Sequence, residues 1–381
     1  MKKKTAILGA TGSIGRNALD VIRLGKDDFE PVLFTAHKDA EALVNLKKEF
    51  PGALLALTGA ETSPSPEIDF IGLHGLLDAI GRCNADIAVN GIAGAAGLEP
   101  SLACLDAAMD LALANKETLV MAGPLVFEKA RQKNAKIIPV DSEHSAIYKL
   151  IEAHGRENVE EIILTASGGP FRNFSLDKLK NVAPAEALAH PTWNMGPKIT
   201  IDSASLANKG LEVIEAVRLF GFPPDKIKVR VHPQSIVHSM IRLKDGAVYA
   251  QMSKPDMRLP IHEALHSPAT SPSPFGFLDF SNLTLTFEEP DMKRFPMLGL
   301  AYKACSLGPL HPAVYNAANE EAVEAFLKGK IPFLEIPRIV GYVLDDSWPG
   351  DALDLAHILE ADRKAREKAR GLINRSTNAD S

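Results

Sequence analysis

The chain has 381 residues, 46% of them hydrophobic and 24% charged, with a formal net charge of −6. That length allows two or three domains of an ordinary globular protein. The acidic balance, without a basic block or interleaved aromatics, argues against a nucleic-acid partner, and no apolar run reaches membrane-spanning length. Cys83, Cys104 and Cys305 are scattered and form no CxxC pair, so they read as small buried thiols of a reducing compartment. Lys2 to Lys4 are basic, but a short strand and a glycine loop follow, not a signal peptide. A cytoplasmic protein is expected.

Residues 5–8 form a buried-strand pattern, and Gly9-Ala10-Thr11-Gly12-Ser13-Ile14-Gly15 follows at once. Ala18, Leu19, Val21 and Ile22 then continue at helical spacing. Strand, glycine turn and helix in that order are the setting of a dinucleotide fingerprint. The glycines let the backbone approach a pyrophosphate, the helix start offers free N–H groups, and Thr11 and Ser13 add hydroxyls. The second strand, 32–35, ends at Ala36-His37-Lys38-Asp39. His37 and Lys38 suit a 2′-phosphate while Asp39 suits a free ribose, and the balance favours NADPH over NADH.

The alternation continues with strand 54–57, a Ser-Pro loop at 63–66, helix 74–80 and strand 87–89. Residues 90–97 are a loop of small side chains, which serves either close packing or a ligand's backbone approach. Helix 98–110 leads to strand 111–114, which ends on Asn115-Lys116-Glu117. Polar groups at the carboxyl end of a parallel strand are placed for ligands, although Lys116 and Glu117 could equally be a surface ion pair. Strand 136–140 then delivers Asp141. The pattern predicts an N-terminal doubly wound, Rossmann-like parallel sheet.

Asp141 and Glu143 are two apart, so on an extended chain their carboxylates share a side. Either they flank a hard divalent cation or they are the acidic start of the helix signalled by Ile147, Leu150 and Ile151. Strand 161–166 opens into Ser167-Gly168-Gly169, a phosphate cradle or a plain turn. Residues 189–198 carry Trp193 and Met195 between prolines, with no regular period: a poor core and a good lid. His190 within it could meet a phosphate or a reacting oxygen.

Asp202, Ser203 and Ser205 read as the cap of one helix running to Phe220. On it Asn208, Lys209 and Glu212 share a face, and Glu212 could be a third carboxylate for the same cation, Mg²⁺ or Mn²⁺. Gly210 costs about 1 kcal/mol there relative to Ala, which predicts a close neighbour. Strands flank the hairpin signal Lys244-Asp245-Gly246, and His232 ends a strand, so it too could face the site. A Ser-Pro stretch at 267–274, a short alternating strand at 283–287 and then helices 298–305, 312–327, 336–343 and 353–372 follow. Asn319 and Glu320 could reach the site, and residues 374–381 read as a frayed tail. The division expected is a dinucleotide-binding domain 1–141, an α+β catalytic domain 142–267, a linker 268–296 and a helical domain 297–381.

GATGSIG, ANKE, PVDSEHSAI, SGGPF, HPTWNMG, DSASLANKGLE and HPQSIVHSM occur in one order along the chain. This set resembles the 1-deoxy-D-xylulose 5-phosphate reductoisomerase family over nearly the whole length. The resemblance implies a homodimer that uses NADPH and a divalent cation (Mn²⁺, Mg²⁺ or Co²⁺). It implies rearrangement and reduction of the sugar phosphate to 2-C-methyl-D-erythritol 4-phosphate. By motif, Asp141, Glu143 and Glu212 would hold the cation. Ser142, Ser167, His190, Ser203, Asn208 and Lys209 would bind substrate, with Trp193 and Met195 in the lid. Thr11, Gly12, Ser13, Ile14, Asn115, Glu117 and Gly196 would contact the dinucleotide, and Lys116 the dinucleotide or the substrate. Lys209, Glu143 and His190 are the groups expected nearest the chemistry. Where the family commonly shows Gly-Lys-Asn, this chain has His37-Lys38-Asp39 and keeps the lysine. Two other readings of the glycine loop are a simple NADPH-dependent aldehyde or semialdehyde reductase and a non-catalytic dinucleotide-binding regulator.

Overall fold

The computed structural model describes residues 1–188 and 196–379. The chain forms two compact units. The first comprises Met1–Thr118, Val126–Ser145 and Asp256–Gly276; the second comprises Leu119–Leu125, Ala146–Pro255 and the chain from Phe277 on.

Seven parallel strands build the first unit: β1 (Lys3–Leu8), β2 (Phe29–Ala36), β3 (Leu54–Leu57), β4 (Phe70–Ile71), β5 (Ile87–Asn90), β6 (Asp110–Leu113) and β7 (Ile137–Pro139). Their order is β4-β3-β2-β1-β5-β6-β7. Thr5 to Leu8 and Ile87 to Asn90 are buried without alternation, as parallel strands covered on both faces must be. Ile7, Phe34, Leu55, Val89 and Ile138 pack with Ala18, Leu19 and Ile22 of the helix Ser13–Leu24. The strand order reverses between β1 and β5. That switch point is where an open α/β sheet takes its ligand, beyond the strands' carboxyl ends. The residues there are Gly9–Gly15 and the loop after Asn90.

The segment Asp256–Gly276 also belongs to this unit. Its helix Arg258–His266 packs on Ser13–Leu24, and Ile261, Ala264 and Leu265 enter the core. Lys3 Nζ in β1 donates to the carbonyls of Leu265 at 2.8 Å and Ser267 at 2.9 Å.

In the second unit β8 (Val159–Ala166), β9 (Ile227–Val231), β10 (Val237–Leu243) and β11 (Val248–Met252) run in the order β11-β10-β8-β9. β10 and β11 form the expected hairpin, with Gly246 at φ 92° in its turn. The helices Met297–Leu307, His311–Leu327, Glu335–Leu344 and Leu355–Ala379 complete it. The α/β class with a helical C-terminal part is therefore as expected. No helix among the described residues is long and apolar enough to cross a membrane.

Four local expectations fail for identifiable reasons. Residues 202–220 are not one helix: Pro197 starts a helix earlier, Pro197–Ser205, and Leu206 (φ 60°, ψ 13°) breaks it before Ala207–Phe220. Asp202 and Ser203 thus sit inside the first helix, and only Ser205 Oγ reaches the next, accepting from Ala207 N at 3.3 Å. Residues 283–287 find no ladder, the nearby pairing being a single bridge between Val231 and Glu288. His232 does not face a site. Its ring is fully buried, Nδ1–H donates to Thr286 O at 2.9 Å, and Nε2 accepts from the backbone of Ile236 and Val237. The C-terminal helix continues past 374 to Ala379, held by buried Ile373 and by Arg370 on Glu321.

Candidate active site

Gly9 adopts φ +79° where its backbone meets that of Gly91, and a Cβ on Gly15 would lie 2.3 Å from Gly9 O. These glycines are needed for close packing around the turn. Gly12 precedes the helix Ser13–Leu24 with no side chain capping it, so the first-turn N–H groups of Ser13 and Ile14 are left for an anion. Thr11, Ser13 and Ile14 are half-buried there and Gly12 is exposed. The 90–97 loop also packs closely: a Cβ on Gly91 would strike Ile14, and one on Gly97 would strike Asn115.

At the end of β2, Asp39 is occupied. Its carboxylate accepts from Ala42 N at 3.0 Å and caps the helix Ala40–Glu49. His37 meets Thr58 Oγ1 at 3.0 Å, and Lys38 is exposed. The acid that pointed toward NADH is therefore a helix cap, and a lysine is left to the solvent side of the strand end.

Asn115 caps the helix Lys116–Lys133 through Thr118 N, and its amide donates to Ile92 O and Gly94 O, both at 2.8 Å. It ties the end of β6 to the loop after β5. Lys116 and Glu117 are not a surface pair: they are 4% and 7% exposed. Lys116 Nζ instead meets Asp141 Oδ2 at 2.9 Å. The helix Ser142–His154 begins directly after Asp141, so the two acids are not aligned by an extended chain. They converge because one precedes a helix and the other lies in its first turn, an oxygen of each lying within 4.8 Å of the other. Ser142 Oγ donates to Glu143 Oε2 at 2.6 Å. His144, which sequence reasoning passed over, is fully buried with Nδ1 3.6 Å from Asp141 Oδ1. Two hard carboxylates so close are a donor set that fits a divalent cation, and the Lys116 ammonium occupies part of it.

In the second unit Glu212 is 1% exposed and Lys209 3%. Lys209 Nζ donates to Glu212 Oε2 and Asn208 Nδ2 to Oε1, so the three side chains meet as their spacing predicts. Ser167 leads the turn whose glycines adopt φ +81° and +67°. A Cβ on Gly169 would lie 2.6 Å from Ser203 O, so this turn abuts the helix carrying Ser203. Gly210 has the close neighbour its cost implied, the Tyr315 hydroxyl. Glu320 is engaged by Arg366, and Asn319 by Asp202. Gly196 is exposed at the start of Pro197–Ser205. His190, Trp193 and Met195 lie outside the described residues.

Three family models match the chain. The 1-deoxy-D-xylulose 5-phosphate reductoisomerase model covers residues 5–123, its C-terminal domain model covers 137–220, and the DXP reductoisomerase C-terminal domain model covers 252–368. The chain belongs to the 1-deoxy-D-xylulose 5-phosphate reductoisomerase family. The reductoisomerase of Treponema denticola is 47% identical over 96% of each chain. That of Chlorobaculum tepidum is 48% identical over 97% of this chain and all of its own. Among solved reductoisomerases, that of Zymomonas mobilis in complex with NADPH has a TM-score of 0.90 at 40% identity, covering 98% of this chain and 99% of its own. A second, in complex with NADPH, fosmidomycin and magnesium, has a TM-score of 0.91 at 38% identity over 98% of each chain.

Proposed function

We infer that this chain catalyses the NADPH- and divalent-cation-dependent rearrangement of 1-deoxy-D-xylulose 5-phosphate and its reduction to 2-C-methyl-D-erythritol 4-phosphate, in isoprenoid precursor biosynthesis. The observation that carries the reading is the near-full-length identity to reductoisomerases. It displaces the plain reductase and the regulator, neither of which needs Asp141 and Glu143 brought together.

Asp141, Glu143 and Glu212 are the residues that would hold the cation: Mg²⁺, as in the solved relative, or Mn²⁺ or Co²⁺. Bound, the cation supplies a Lewis acid for the substrate's oxygens, and NADPH supplies the hydride. The Gly9–Gly15 turn and the uncapped helix start receive the pyrophosphate, with His37 and Lys38 at the 2′-phosphate. Thr11, Gly12, Ser13, Ile14, Asn115, Glu117 and Gly196 complete the dinucleotide contacts, with Lys116 between dinucleotide and substrate. Ser142, Ser167, Ser203 and Asn208 hold the sugar phosphate by hydroxyl and amide hydrogen bonds. Lys209 offsets negative charge that grows on substrate oxygen, in a buried setting where such charge counts for more than in water. His190, Trp193 and Met195, outside the described residues, are assigned to the substrate on their motif alone.

By role, 1–141 would be the dinucleotide-binding part, 142–267 the catalytic part, 268–296 the joining part and the chain from 297 the helical part, although Asp256–Gly276 packs within the first compact unit. The enzyme works as a homodimer, for which β11 offers an outer strand with Val248 46% and Tyr249 42% exposed. Three free thiols, two of them buried, suit the cytoplasm.

The test is NADPH absorbance with 1-deoxy-D-xylulose 5-phosphate. Oxidation that requires Mn²⁺ or Mg²⁺ and stops with EDTA is expected. Oxidation indifferent to EDTA would return the assignment to a plain reductase.

A further inference from the structure

The helix His311–Leu327 touches both helices that carry the second unit's polar groups. Asn319 Nδ2 donates to Asp202 Oδ1 at 2.7 Å, with Asn319 0% and Asp202 1% exposed. One turn earlier on the same face, Tyr315 lies against Gly210, where a Cβ would come within 2.7 Å of its hydroxyl. That hydroxyl is itself fixed, donating to Met297 O at 3.2 Å. Asp202 adjoins Ser203 on the helix Pro197–Ser205, and Gly210 adjoins Lys209 on the helix Ala207–Phe220. Between the two helices stands the left-handed residue Leu206.

A break of this kind is a hinge unless both arms are held. Here one face of one helix holds both, Asn319 on the first arm and Tyr315 on the second. The Asn319 contact is not arranged for stability alone. Its buried Oδ1 finds no hydrogen-bond partner among the described residues, a penalty that an apolar contact would avoid. What the amide provides is direction. A hydrogen bond to a buried carboxylate fixes Asp202 along one line, where apolar packing would let the arm slide. Asp202 also pairs with Lys198 Nζ at 3.0 Å, so the line of contact runs on to the first turn of Pro197–Ser205.

We propose that Asn319 and Tyr315 form a two-point clamp that sets the angle at Leu206, and with it the placement of Ser203 relative to Lys209 and Glu212. Asn319 is then a positioning residue, acting through Asp202, and the C-terminal helices take part in substrate and cation binding without touching either. The proposal rests on the roles given above to Ser203, Lys209 and Glu212.

The test uses the full-length enzyme with two variants, Asn319→Leu and the exchange Asp202→Asn/Asn319→Asp, which keeps one amide and one carboxylate in the pocket. Substrate KM, kcat, Mn²⁺ affinity by electron paramagnetic resonance and NADPH affinity by fluorescence are measured. In Asn319→Leu, KM and the Mn²⁺ Kd should each rise about ten-fold with the NADPH Kd unchanged, the size usual for residues that orient ligands. The exchange should restore both. Lowered thermal stability with KM and Mn²⁺ Kd unaltered would overturn the clamp, as would an exchange that restores neither. If Asn319→Leu does not fold, the exchange alone decides, since a folded enzyme with impaired KM contradicts the proposal and wild-type values support it. Glu212→Gln is the control for the underlying reading. Unchanged Mn²⁺ affinity there removes the cation site itself, whereas a response there and none in Asn319→Leu removes only the clamp.

Discussion

Lys116 Nζ stands 2.9 Å from Asp141 Oδ2, with the lysine side chain 5% and the aspartate 14% exposed. The ammonium at the start of one helix thus neutralises the carboxylate at the end of the neighbouring strand, the carboxylate assigned to the cation. A positive charge is already in place where, in the proposed function, a second one would come.

Removing it should therefore strengthen cation binding while impairing turnover. Lys116→Met is expected to lower the Mn²⁺ Kd at least about five-fold, as the loss of a unit charge a few ångströms away dictates. Titration calorimetry on the cofactor-free protein reads this directly. Mn²⁺ binding that weakens would show that Lys116 helps to build the site.

Glu212 receives hydrogen bonds on both oxygens, from Asn208 and Lys209. Glu212→Gln is expected to reduce metal-dependent turnover by about a hundred-fold or more, the usual consequence of losing a charged ligand or its orientation. NADPH affinity should stay within about two-fold, because Glu212 is not among the residues proposed to contact the dinucleotide. Retained turnover would take Glu212 out of the site.

A methyl group at Gly210 has no room beside Tyr315 and Ala301. Although alanine is the better helix former, Gly210→Ala should destabilise the protein by about 1–3 kcal/mol, because overpacking outweighs propensity. Chemical denaturation checks the sign. A stabilised variant would mean that the two helices separate freely.

The two ring nitrogens of His232 serve as donor to Thr286 and acceptor from Ile236 and Val237, which requires the neutral imidazole. Burial pushes its pKa below the ordinary 6.5. For such a group the stabilisation is complete above the unfolded value and is lost as pH falls through the folded one. The thermal midpoint should fall as pH drops below about 6.5, and His232→Gln should flatten that slope. His311, lowered by burial as well, leaves a residual slope of the same sign. An equally steep profile in the variant would move the dependence elsewhere.

Asp39 is spent on its helix cap, so in the proposed function Lys38 is the group expected to distinguish the two nicotinamide cofactors. Lys38→Ala should raise KM for NADPH about ten-fold and leave that for NADH nearly unchanged. Parallel loss with both cofactors would assign the lysine to the pyrophosphate or to folding.

Local patterns were legible where one chain segment determines them. Apolar runs marked β1, β5 and β6 because strands buried on both faces need no alternation. The glycine turn declared itself because its geometry admits little else, and the Asn208, Lys209 and Glu212 face followed from helix periodicity. What escaped depends on distant partners. The break at Leu206 falls on a residue that is neither proline nor glycine, so no local breaker announces it. The occupation of Asp39 by Ala42 N is a matter of helix entry angle. The Lys116 and Asp141 pair joins the ends of two strands, and Asn319 reaches Asp202 across 117 positions. The return of Asp256–Gly276 to the first unit has no local signature at all.

That return has a consequence for how the molecule is made. β1 leaves the ribosome long before residue 256, yet Lys3 waits for the carbonyls of Leu265 and Ser267, and the helix Ser13–Leu24 waits for Ile261 and Leu265 to cover it. The nucleotide-binding sheet thus remains open along one side until residue 276 has been synthesised, after the second unit's entire sheet. A nascent chain of this enzyme carries that early segment for a long stretch of synthesis as exposed apolar surface, the surface that chaperones seize. Synthesis runs from the amino terminus, but completion of the fold begins closer to the middle.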